Sequence, residues 1–149
     1  MLESGMAHMG FEEAVKDFPL AKINSRAPKV EYTFWHLIEH LRLTQVDILE
    51  FITNPNYKEP SWPKDYWPKP SAKASSKDWE NSVKQFNADL KELVKLAKDP
   101  KTDLEHKITW GDGQTILREL LLVADHNAYH IGELAILRQV SNLWPKSRK

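Results

Sequence analysis

Two histidines, His126 and His130, stand four residues apart in the apolar run "ADHNAYHIGELAILRQ". On an α-helix this spacing puts both imidazoles one turn apart on a single face, where they can share a metal ion. A lone pair of this kind can equally border a core, hydrogen-bonded to neighbouring carboxylates and backbone. The weight shifts with His40, which lies on another long helical segment, also beside its apolar stripe. If the two strips face each other, His40, His126 and His130 supply three nitrogens to one ion, each at about 2.0–2.1 Å for zinc. Three protein donors leave positions open for a substrate atom or for a water acidified towards a pKa of about 7.

Other polar residues border the same strips. His36 lies one turn before His40, and Asp47 two turns after it. For His36 three roles stay open: a fourth ligand, a partner behind the ligands, or a place in the helix's first exposed turn. Glu133 and Glu119 share the flank of His126 and His130, which suits orienting an imidazole N–H or general-base work. They are the candidate catalytic groups. Asp125 points about 100° away from His126 and reads as a surface charge or a partner to another helix. Arg42 and Arg138 can bind an anionic substrate, though single arginines on helices are usually solvated. His106, after "KTDL", reads as exposed, and His8 carries no functional weight.

These residues need helices to position them, and four segments carry a helical period. "GFEEAVKDFPL" spaces Phe11, Val15 and Phe18 before Pro19 and predicts a short helix. "TFWHLIEHLRLTQVDILEFI" puts Phe34, Leu37, Ile38, Leu41, Ile48 and Ile52 on one face, with Thr33 as N-cap and Asn54-Pro55 as a stop. A third helix is predicted over "SKDWENSVKQFNADLKELVKLAKDP", with Trp79, Val83, Phe86, Leu90, Leu93, Val94 and Ala97 inward and Pro100 ending it. The fourth runs from about Asp112 or Gln114 to Val140, with Ile116, Leu117, Leu120, Val123, Ala124, Ile131 and Leu134 as its stripe.

No alternating β-branched stretch competes, so the expected fold is all-α, a four-helix bundle around one core. Between the second and third helices lies "NPNYKEPSWPKDYWPKPSAKASS", with five of the nine prolines and two of the six tryptophans. Such a loop is too proline-rich for a helix and too aromatic for a plain linker. It is expected to pack over one end of the bundle, either plugging the core or shaping a substrate pocket.

A chain of 149 residues suits one domain, able to bury roughly 68–70% of its unfolded surface without staples. Residues 1–9 are expected to form a flexible leader. The 21 basic residues balance the 21 acidic ones, and no basic block is concentrated enough to point to nucleic acid. There is no cysteine, which excludes disulfides, zinc–thiolate sites and a thiol nucleophile of the chain's own. With no basic-then-apolar leader and no apolar run of about 18 residues, a cytoplasmic protein without membrane contact is expected.

In order and spacing, "WHLIEHLRLTQVDILEFITNP", "SWPKDYWP" and "GQTILRELLLVADHNAYHIGELAILRQ" resemble the DinB superfamily, also called DinB/YfiT-like, of bacterial proteins. The resemblance spans most of residues 34–140. It implies a four-helix bundle with one metal-binding histidine on the second helix, here His40 in "EHLR", and a pair on the last, here His126 and His130 in "DHNAYHIG". It gives His36 no required role. It further implies zinc or nickel, a homodimer, and a small-molecule substrate. Activities in such bundles include S-transfer from a metal-activated low-molecular-weight thiol, and others are described as hydrolases. The alternative is a non-catalytic, stress-related dimeric bundle whose metal site stabilises the fold.

Overall fold

The computed structural model describes residue 2 and residues 7–146. Most of the expected leader, residues 1 and 3–6, lies outside the described residues, as do residues 147–149. The chain is helical: α1 (Phe11–Val15), a 3-10 turn (Leu20–Lys22), α2 (Phe34–Thr53), α3 (Ser76–Lys98) and α4 (Ile116–Val140). Among the described residues, no helix is long and apolar enough to cross a membrane.

Caps explain the boundaries. The Thr33 side chain accepts from the His36 backbone N–H and opens α2. A reciprocal box between Ser75 and Asp78 opens α3, satisfying backbone donors that have no partner within the helix. The fourth helix starts later than the expected Asp112 or Gln114. Gly113 takes φ +103°, a left-handed turn open to glycine, and the Ile108 N–H bonds to the Gln114 carbonyl. That turn uses up the residues before Thr115, which then caps α4 through the Arg118 N–H.

α2 packs against both α3 and α4, while α1 meets α4. One apolar cluster joins Phe11, Phe18, Leu37, Leu41, Phe86 and Leu134, and a second joins Ile48, Ile52, Leu93, Leu120 and Val123. Between them lies a buried polar bridge. Gln45 donates to the Phe86 carbonyl at 2.7 Å and accepts from Asn127 Nδ2 at 2.9 Å, tying α2 to both neighbours.

Two expectations change, one for a residue of the apolar stripe and one for an arginine expected to be solvated. Leu117 is exposed, beside a shallow apolar cavity that it shares with Val94, Ala97 and Leu104. Arg138 is fully buried rather than solvated. Its guanidinium donates to the carbonyls of Ala14, Lys16 and Leu143 and stacks 3.8 Å from the Trp144 ring, clasping the N-terminal segment to the chain after α4. The reason is position: Ile131, Leu134 and Arg138 share one helix face, so the charge enters the core, where backbone carbonyls receive it through its two terminal nitrogens.

Candidate metal centre

α2 and α4 bring His40, His126 and His130 together. One ligand nitrogen from each lies within 4.8 Å of the other two. Ring centroids are 5.0 Å apart for His40 and His126, 4.8 Å for His40 and His130, and 4.6 Å for His126 and His130. His40 is buried and the other two are half-buried.

Two of the rings are fixed from behind. His40 Nδ1 lies 2.7 Å from the Tyr66 carbonyl, so it carries the proton and leaves Nε2 as a lone pair. His130 Nδ1 donates to Glu133 Oε2 at 2.7 Å, which again leaves Nε2 free. Glu133 in turn accepts a short hydrogen bond from the Tyr32 hydroxyl. Trp67 lies flat on His40, with centroids 3.9 Å apart and planes 8° apart, and Tyr129 stands edge-on to His130.

Electrostatics favour the neutral form of His126 and His40. Burial, followed by the nearby His130 and His40, lowers the His126 pKa to about 3. Burial also lowers that of His40, against the opposing pull of the Tyr66 carbonyl. Burial alone would raise Glu133, but hydrogen bonds from His130 and Tyr32 and the neighbouring imidazoles outweigh it, so its pKa falls below the ordinary value.

The donor set fits a divalent cation. His40 Nε2 and His126 Nε2 are 3.2 Å apart. Two nitrogens bound at 2.0–2.1 Å to one tetrahedral ion lie about 3.3–3.4 Å apart. Without a cation the same contact requires His126 Nε2 to donate to His40, since His40 has spent its proton on Tyr66.

The remaining candidates fall elsewhere. His36 accepts from the Thr33 N–H through Nδ1 at 3.5 Å and reaches the Ala72 carbonyl through Nε2 at 3.0 Å. Both its nitrogens are engaged and it stands outside the group, serving the helix start and the loop. Glu119 is buried two turns before His126 and pairs with Arg118. Asp125, His106 and His8 are exposed. Arg42 forms a two-pronged pair with Glu39, at 3.0 and 2.7 Å. A cavity of about 620 Å³ is lined by Phe11, Phe86, Leu90, Asn127 and Ile131 and by none of the three histidines.

Sequence reasoning did not find Tyr66, Trp67 or Tyr32. All three stand outside the regular helices, where no period marks a residue as inward. For Tyr66 and Trp67 the aromatic content of the 54–75 loop was the available signal, and Tyr32, ahead of α2, had none.

A helical bundle whose two adjacent core helices converge three imidazoles is a framework that could hold a metal ion. The chain belongs to the DinB superfamily, whose sequence profile it matches over residues 6–134. No curated protein and no solved structure gives a significant match.

Proposed function

We propose that this protein is a divalent-metal-dependent enzyme in which His40, His126 and His130 hold a zinc or nickel ion. In this reading it acts in the cytoplasm on a small molecule, through a low-molecular-weight thiol in S-transfer or through a water in hydrolysis. The observation that carries the reading is the convergence of the three imidazoles with the Nδ1 atoms of His40 and His130 turned outward and engaged. When bound, the ion supplies Lewis acidity that lowers the pKa of a thiol or water at its open positions.

The chain's own residues prepare that chemistry. The Tyr66 carbonyl and Glu133 each hold a proton at Nδ1 of a ligand, which keeps Nε2 directed inward. Neutral donors leave a divalent charge uncompensated, so an anionic thiolate or hydroxide is favoured over a neutral partner. Glu133 is already engaged by His130 and Tyr32. Its part is therefore to orient His130, and the nucleophile, thiol or water, is activated by the ion itself. A homodimer belongs to the same reading, supported by the apolar side chains that α4 exposes at Tyr129, Ile136 and Val140.

Elemental analysis of protein purified without an affinity tag tests the metal. Near-stoichiometric metal is expected in the wild type and only traces in the double variant His126→Ala, His130→Ala. Equal traces in both refute the reading. A thiol transferase conjugates monochlorobimane only when a small thiol is supplied, whereas a hydrolase turns over an ester or amide without one.

A further inference from the structure

The loop between α2 and α3 reaches back to α2 at two points one residue apart. The Tyr66 carbonyl accepts from His40 Nδ1 at 2.7 Å, and the next residue, Trp67, lies flat on the same imidazole. The Tyr66 side chain runs to a different place. Its hydroxyl donates to Asp47 Oδ2 at 2.7 Å, and Asp47 lies on α2 two turns after His40. A closed bracket results: His40, α2, Asp47, the Tyr66 phenol, the Tyr66 carbonyl, and His40 again. Tyr66 is only 9% exposed, so the bracket is held largely away from competing water.

We infer that Asp47 and Tyr66 are positioning residues for the three-histidine centre, acting through the loop backbone that orients His40. The inference rests on the proposed metal reading and names residues that reading does not require. A loop of this length without regular structure gains order chiefly where it is tied down. The carbonyl at its tied point decides which His40 nitrogen carries the proton. If the carbonyl moves, the ring is free to turn or to place its proton on Nε2, and the inward lone pair is lost.

Tyr57 supplies an internal control. Its hydroxyl donates to the other Asp47 oxygen, also at 2.7 Å, and its backbone N–H turns back to Asn54 rather than to a histidine. Loss of either phenol removes one hydrogen bond to the same carboxylate together with the contact between the two phenols, but only Tyr66 is joined through its own backbone to His40.

The test compares Tyr66→Phe, Asp47→Asn and Tyr57→Phe in the full chain, by zinc competition against a chromophoric chelator and by urea unfolding. Tyr66→Phe and Asp47→Asn are expected to weaken zinc binding by about tenfold, the lower end of the loss when the group directly behind a metal ligand is removed, because they loosen the Tyr66 carbonyl rather than delete it. Tyr57→Phe should stay within about threefold while losing a comparable amount of stability, since it gives up a similar hydrogen bond. The inference is overturned if folded Tyr66→Phe binds zinc as the wild type does, or if all three variants weaken it equally. Nitrogen NMR of His40 in the metal-free proteins gives a second readout. The wild type and Tyr57→Phe should hold the proton on Nδ1, and Tyr66→Phe should mix the two tautomers. If the wild type binds no zinc, the metal reading fails by itself, and an unchanged His40 tautomer in Tyr66→Phe then sinks the positioning role.

Discussion

Acidification should destabilise the metal-free protein, and His126 should be a principal cause. Burial, with His130 and His40 close by, brings its pKa from 6.5 to about 3. The unfolded chain therefore takes up a proton near pH 6.5 that the folded chain refuses until near pH 3. Stability from this group is fully present above the unfolded value and is lost as the pH falls through the window below it. At about pH 5 the unfolded state has gained roughly 1.5 pH units at about 1.4 kcal/mol each, or about 2 kcal/mol. The ring is half-buried, and water screening trims the expected loss to about 1–2 kcal/mol. His40, also lowered by burial, acts with the same sign. Urea unfolding of metal-free protein near pH 7 and near pH 5, followed by circular dichroism, measures the effect in the wild type and in His126→Gln. The wild type should lose about 1–2 kcal/mol more than the variant across that interval. Equal losses in the two proteins would refute the depressed His126 pKa and the buried, neutral centre inferred from it.

Two further substitutions separate the centre from the fold. Glu133→Gln removes the carboxylate that receives both His130 and Tyr32. It should weaken zinc binding by about 10–100-fold in a chelator competition, and unchanged affinity would mean that packing alone holds the His130 ring. Arg138→Met strips three carbonyls of their donor and should cost about 2–4 kcal/mol in thermal or urea unfolding. Metal content should stay as in the wild type, and a loss under about 1 kcal/mol would show that water replaces the guanidinium.

The parts legible in the sequence were those that follow a period or a cap. Thr33, Asn54-Pro55 and Pro100 mark helix ends because backbone groups there need side-chain partners or lose their continuation. His40, His126 and His130 were legible because helical spacing fixes the direction of each side chain to within a fraction of a turn. His36 shared that signal and still went elsewhere, because position N3 of α2 drew its Nδ1 to the Thr33 N–H. Contacts across long separations left no local trace. Tyr32 meets Glu133 across 101 residues, and Tyr66 meets His40 from a loop with no repeat. Arg138 shows that residue type can mislead where position does not: its spacing from Ile131 and Leu134 placed it inward, while its charge suggested solvent.

The convergence of the histidines also depends on a contact that involves none of them. His40 can face His126 only if α2 and α4 keep one register, and a polar pair buried between helices can specify such a register. Gln45 lies five residues after His40, and Asn127 directly follows His126. Their 2.9 Å hydrogen bond, extended by Gln45 to the Phe86 carbonyl at 2.7 Å, crosses the core beside the centre. A one-residue slip would leave these buried amides without partners, at a cost of about 1–3 kcal/mol for each group. A polar bridge in an apolar core adds little net stability but penalises the wrong alignment heavily. The bundle thus uses a neutral amide pair to fix the register, so that the alignment of α2 and α4 does not depend on the imidazoles themselves.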